Sequence, residues 1–135
     1  MPHFSKKSKD ILRTCNPLLQ AIFDTVIITY DCTILEGRRG KIRQNNLFAS
    51  GASKVKWPNS KHNVIEPLGL SNAVDVAPYV RGISWNVKQG YHFGGYVLAV
   101  SHQLKIPIRW GGDWDKDHDV TDQSFNDLGH FELIL

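Results

Sequence analysis

The chain has 135 residues, 41% hydrophobic and 21% charged, with a net charge of +3. That is the profile of one globular domain with a single core. No apolar run approaches the ~20 residues that a membrane span needs. Nor does an apolar segment follow Lys6, Lys7 and Lys9 closely enough to make a secretory leader, since Asp10, Arg13 and Asn16 interrupt it. The charge is unevenly spread: residues 1–61 hold eleven Lys/Arg against four Asp/Glu, and residues 62–135 hold five against nine. A basic half suits an anionic partner such as nucleic acid, anionic lipid or an acidic wall polymer, or is simply a solvated face.

The first helix is expected over residues 8–12, with Ser8 as N-cap. Asn16-Pro17 then opens a second helix, Asn at the cap and Pro in the first turn. Leu18, Leu19, Ile22, Phe23, Val26 and Ile27 recur at helical spacing and face a core. Residues 32–35 read as a strand, 38–40 as a turn, and 41–48 as a helix ending before Gly51. Residues 51–72 form a long loop, of the length usually kept for function. Residues 73–77 are a strand, 86–104 a helix in which Gly94-Gly95 permits close packing on a sheet, 107–110 a strand and 131–135 the last strand. Helices in front, strands behind and no regular βαβ alternation predict an α+β fold, one domain over 1–135 with a small antiparallel sheet. Cys15 and Cys32 are too few for a disulfide framework and read as buried apolar residues.

The chemistry gathers in four places. Ser60-Lys61-His62 lies in the long loop. Ala73-Val74-Asp75-Val76 puts a carboxylate in an apolar strand, where burial without a partner is expensive. Trp110-Gly111-Gly112-Asp113-Trp114 precedes an acidic run, and Asp127-Leu128-Gly129-His130 comes just before the last strand, with His130 opening its apolar run. Two histidines and one carboxylate as ligands, with a second carboxylate left over, match a catalytic zinc site that keeps its fourth position open. Such a site is expected on a sheet edge. His3, His92, His102 and His118 are expected to be structural or exposed.

These segments resemble the zinc peptidases that include D-alanyl-D-alanine carboxypeptidases of the VanY type and bacteriophage L-alanyl-D-glutamate endopeptidases. The family pattern is Ser-x-His, Ala-x-Asp, a tryptophan-glycine segment and a carboxylate three residues before a terminal histidine. Gly37-Arg38-Arg39 and Gln44 match an upstream Gly-x-Arg with a following Gln. The resemblance covers nearly the whole chain and is strongest to phage endolysins. One departure is the spacing of twelve residues between His62 and Asp75, longer than in the family, so Val64 to Asn72 is expected to form an added loop over the cleft.

The resemblance implies a hedgehog/D,D-peptidase-like domain with one catalytic zinc on His62, Asp75 and His130. It implies Asp127 as proton carrier, Arg39 (or its neighbour Arg38) on the oxyanion or a substrate carboxylate, and Ser60 and Trp114 at the substrate. The partner is the peptidoglycan stem peptide, with no nucleic acid, no stable membrane association and a monomer by default. The implied reaction is hydrolysis of L-Ala–D-Glu for host lysis, by an enzyme made in the host cytoplasm and released to the wall. Removal of a terminal D-Ala is the alternative, and a non-catalytic zinc-containing wall-binding module is the reading of another class. A nucleic-acid-binding domain finds no helix-turn-helix, finger spacing or RNA-binding motif here. Lastly, Asp113, Asp115, Asp117, Asp119 and Asp122 resemble the front of an EF-hand calcium loop, with His118 where glycine is usual and Ser124 where a closing Glu is usual. The alternative is a solvated acidic loop.

Overall fold

The computed structural model describes residues 1–64 and 69–135. Its elements are α1 (Lys6–Leu12), α2 (Pro17–Val26), β1 (Cys32–Glu36), α3 (Lys41–Ala49), β2 (Ala73–Pro78), α4 (Val87–Gln103), β3 (Ile108–Gly111) and β4 (Asp127–Leu133). The strands make one antiparallel sheet in the order β1-β2-β4-β3, so the domain is α+β as expected. Among the described residues no helix is long and apolar enough to cross a membrane.

The helices start where polar side chains meet their first free N–H groups. Asn16 accepts from the Leu18 N–H with Pro17 behind it, and Asn86 accepts from the Gln89 N–H. The cap of α1 is Ser5, not Ser8. Ser8 is buried inside the helix, and its hydroxyl accepts instead from the Ile34 N–H of β1. A side chain used as a tie between helix and sheet is not free to cap.

One face of the sheet carries the core. Leu19, Ile22, Phe23 and Val26 of α2 and Phe93 and Val97 of α4 pack on Ile34, Val74, Val76, Phe131 and Leu133. The Phe131 ring meets Phe23 edge-on at 5.5 Å and Phe93 at 6.1 Å. Cys15 and Cys32 are free and buried, and burial pushes both thiols up to about 12, which removes them as nucleophiles.

Of the adjacent pair Gly94-Gly95 in α4, only Gly94 is in close contact. A Cβ there would stand 2.2 Å from Trp110 Cζ2, whereas nothing lies within 4 Å of a Cβ at Gly95. Trp110 in turn donates from Nε1 to the Leu128 carbonyl at 2.8 Å, fastening β4. Gly94→Ala is therefore expected to destabilise the domain by about 1–3 kcal/mol through overpacking, and Gly95→Ala is not. Thermal melts of the two variants compare them directly; equal melting temperatures would refute the contact.

Candidate metal centre

Side chains alternate across a strand, so the residues between the core positions face the other way. In β2 that residue is Asp75, between Val74 and Val76; in β4 they are His130 and Glu132, flanking Phe131. Asp75 and His130 are directly opposite in register, as are Ala73 and Glu132. Because β2 and β4 are the two inner strands, the centre sits in the middle of the sheet and not at its edge. An inner position has pairing on both sides, which fixes the ligands more rigidly than an edge would.

His62 comes from the loop. Its carbonyl accepts from the Arg39 N–H, and its own N–H donates to Ser60 Oγ at 3.2 Å. The long spacing to Asp75 is closed at its base, where the Asn72 N–H donates to the Lys61 carbonyl at 3.0 Å. Asn72 then accepts from the Leu133 N–H of β4. The extra residues leave and return at one point, so their number does not displace His62. Of the added loop expected over the cleft, residues 65–68 lie outside the described residues.

The three side chains converge. His62 Nε2 and His130 Nδ1 lie 3.2 and 3.1 Å from Asp75 Oδ1, and all three donor atoms fall within 4.8 Å of one another. Bonds of about 2 Å at tetrahedral angles would separate ligand atoms by roughly 3.3 Å. The far nitrogen of each ring is tied: His62 Nδ1 donates to the Gly37 carbonyl at 2.7 Å, and His130 Nε2 to Glu132 Oε1 at 2.9 Å. This fixes which nitrogen of each ring points inward, as a metal-ligating histidine requires. Two imidazoles and a carboxylate are a donor set that fits zinc.

The electrostatics follow from the same contacts. Burial opposes the Asp75 charge, but hydrogen bonds from His130 and His62 outweigh it and hold the carboxyl well below the usual range. Burial also opposes a charged His130, yet Asp75 and Glu132 together raise it to about 9. The Asp127 carboxyl is pushed up, first by burial and then by the charge of Asp75.

Asp127 lines the same cleft as the three ligands, although residues three apart in a regular strand face opposite ways. The register explains this. Trp110 pairs with Phe131, yet Gly111 pairs with Asp127, so β4 carries extra residues against β3 at that point. A Cβ at Gly111 would stand 2.1 Å from the Asp127 carbonyl oxygen, so the close approach needs glycine there. β4 thus begins at Asp127, four residues before the strand expected from the apolar run.

The cleft has a volume of about 590 Å³, and Arg39, Ser60 and Trp114 all line it. Of the adjacent arginines, Arg39 is the one turned inward. It grips Glu36 with Nε and Nη2 (3.1 and 2.7 Å), donates from Nη1 to Gln44 Oε1 (2.9 Å) and reaches Asp75 Oδ2 at 3.5 Å. The Trp114 ring stands 5.4 Å from that of His130 and stacks on Phe125 at 6.3 Å.

Residues 1–134 match the model of the phage L-alanyl-D-glutamate peptidase family. The chain belongs to that family. Among solved structures it is similar to the Serratia marcescens L-Ala D-Glu endopeptidase ChiX, at 23% identity and a TM-score of 0.75, over 98% of this chain and 91% of that one. No curated protein sequence matches it. The resemblance noted in the motifs thus leads to the phage peptidases, and the fold is shared with ChiX.

Against that family setting, the geometry adds residues that the motifs do not name. Glu132 holds His130 and is itself held near Lys61 and Arg109, each 3.7 Å away. Its place two residues after His130 in a strand is a readable signal. Glu36 reaches the site through a bulge after Ile34, which sets Glu36 rather than Leu35 opposite Asp75. Nothing in the local sequence announces that. Phe125 and Lys54 complete the Trp114 wall, with Lys54 Nζ 5.1 Å from the Phe125 ring centre.

Proposed function

We propose that this chain is a zinc-dependent peptidase that hydrolyses the L-Ala–D-Glu bond of the peptidoglycan stem peptide in phage-driven lysis. The observation that carries the reading is the convergence of His62, Asp75 and His130, each imidazole tied from behind, with the half-buried carboxyl of Asp127 in the same cleft. The chemistry supplied at that position when zinc is bound is Lewis-acid activation of water and of the scissile carbonyl. Membership of the phage L-alanyl-D-glutamate peptidase family supports the choice of bond, and the activity named for ChiX agrees with it. The enzyme would be made in the host cytoplasm and reach the wall after release.

In this reading Asp127 takes a proton from the attacking water and returns it to the departing amine nitrogen as the C–N bond breaks. The products are an L-Ala carboxylate and the free amine of D-Glu. Arg39 has most of its donors occupied by Glu36, Gln44 and Asp75, so its role is to hold Asp75 rather than the oxyanion. Ser60 holds the His62 backbone. Trp114 and Phe125 make the apolar wall of the cleft, and Lys54 and Lys61 give it a positive rim for an acidic peptide.

The test is mass analysis of purified peptidoglycan treated with zinc-loaded protein. Fragments ending in L-Ala, with new amino termini on D-Glu, are expected. Loss of a terminal D-Ala alone would favour a D,D-carboxypeptidase. No cleavage with zinc held would leave a wall-binding module.

Glu132 offers an independent check on the metal. Glu132→Gln keeps the shape but removes the charge behind His130. Zinc affinity is expected to fall roughly 10- to 100-fold, read by competition with a chelating dye. Unchanged affinity would mean that Glu132 merely balances Lys61 and Arg109.

A further inference from the structure

Between Asp75 and Asp113 the sequence runs for 37 residues without a carboxylate side chain, while it holds Arg81, Lys88, Lys105 and Arg109. The first part of that stretch is also apolar on its outside. Among the described residues fourteen large hydrophobic side chains are exposed, and five of them, Tyr79, Val80, Ile83, Trp85 and Val87, fall within nine residues. Trp85 is 74% exposed and Val87 61%. Single exposed apolar residues are ordinary, but five on one loop, with cations among them, mark a contact surface.

The backbone holds these side chains outward. The chain leaves β2 at Pro78 and turns through Arg81 and Gly82, both at positive φ (56° and 126°). The Val80 N–H donates to the Gly82 carbonyl and the Ser84 N–H to the Pro78 carbonyl, both at 2.8 Å, and Tyr79 bridges Ile83. Asn86 then caps α4, so the loop is tied at both ends. Asp31 meets the base of the loop through its backbone, its carbonyl accepting from the Tyr79 N–H.

The charges narrow the choice of occupant. A second copy packed by two-fold symmetry would bring Arg81 and Lys88 against the same residues of its mate, with no acid in the patch to pair them. A stable protein interface takes about 20–30 residues a side, and this loop is far shorter. A lipid surface needs less: a few apolar side chains dipping about 5–10 Å into the headgroup boundary, with cations facing anionic lipid. Tryptophan and tyrosine favour that depth.

We propose that the loop of residues 79–88 is a reversible contact site for an anionic phospholipid surface, its five apolar side chains entering the interface and Arg81 and Lys88 meeting the headgroups. The contact is peripheral, since one loop makes neither a span nor a stable anchor.

The test uses the zinc-loaded full chain and vesicles that can be spun down, of phosphatidylcholine alone or mixed equally with phosphatidylglycerol. Binding is expected to the mixed vesicles, weaker at high salt, and close to none on phosphatidylcholine alone. Lipids brominated along the acyl chain should quench tryptophan emission, and Trp85→Phe should still bind but lose most of that quenching. Arg81→Gly suits the positive φ and should lower the partition about fivefold. The double variant Val80→Ser with Ile83→Ser changes only exposed side chains and should lower it roughly tenfold. No binding to the mixed vesicles overturns the site. So does binding that Arg81→Gly and the double variant both leave unchanged, which would belong to basic side chains elsewhere. Self-association in sedimentation, without vesicle binding and abolished by the double variant, would overturn it in favour of a second copy. None of these readouts is cleavage, so they stand or fall apart from the peptidase reading.

Discussion

Asp127→Asn is expected to lower turnover on peptidoglycan by roughly 10²- to 10⁴-fold, the usual worth of a positioned proton carrier, while zinc stays bound. Asn has the same shape but cannot take a proton from water. The ligands His62, Asp75 and His130 are untouched, so metal content by elemental analysis should match the wild type. Stability supplies a second readout of opposite sign. Burial, and then Asp75, raise the Asp127 carboxyl above its ordinary value. A carboxylate whose folded pKa is raised costs stability once pH climbs through that value, because the fold disfavours its charge. At neutral pH the metal-free Asn variant should therefore melt no lower than the wild type. Asp127→Glu, one methylene longer, should recover part of the lost activity. An Asn variant within tenfold of the wild type would remove Asp127 from the reaction.

Which parts of this were legible depends on how local the signal is. Asn16-Pro17 announces α2 because cap and first turn are adjacent in sequence. The apolar spacing from Leu19 to Val26 follows because one helix face meets one core. Ser8 misleads for the complementary reason. It has the chemistry of a cap, but its hydroxyl is engaged by Ile34, a partner 26 residues away. Ser5 is free to do the capping.

The site divides along the same line. Asp75 could be picked out because a charge inside Ala-Val-Asp-Val must meet a partner, whatever the fold. His62, His130 and Asp127 came from motif resemblance, and the structure brings all of them to one cleft. The register irregularities could not be read. The bulge after Ile34 places Glu36, and the extra residues of β4 turn Asp127 onto the face of His130. Both depend on which strands pair, and pairing is a property of the whole chain. The partners of Arg39 could not be read for a related reason. Its guanidinium is expected on the oxyanion or a substrate carboxylate, and Glu36, Gln44 and Asp75 also converge on it from three elements.

Asp75→Asn is the variant that separates metal from scaffold. In the metal-free protein the carboxylate sits among His62, His130 and Arg39, at 3.2, 3.1 and 3.5 Å. Despite burial, the hydrogen bonds from His130 and His62 hold it well below the usual range. A depressed carboxyl contributes stability that is present above its unfolded value and lost as pH falls toward the folded one, so at pH 7 the contribution is complete. Removing the charge leaves His130 and Arg39 facing a neutral amide. Breaking buried pairs costs about 3–5 kcal/mol; the side chain is 22% exposed, which favours the lower end. For a domain of this size that is a fall in melting temperature of roughly 10 °C. Zinc then distinguishes the two roles. Zinc at a hundred times its dissociation constant should stabilise the wild type by about 2.7 kcal/mol, and should leave Asp75→Asn unmoved. A variant that melts early but still gains from zinc would keep Asp75 as scaffold and strike it from the ligands. One that melts with the wild type and binds zinc would dismantle the centre as drawn, because no other carboxylate reaches both imidazoles among the described contacts.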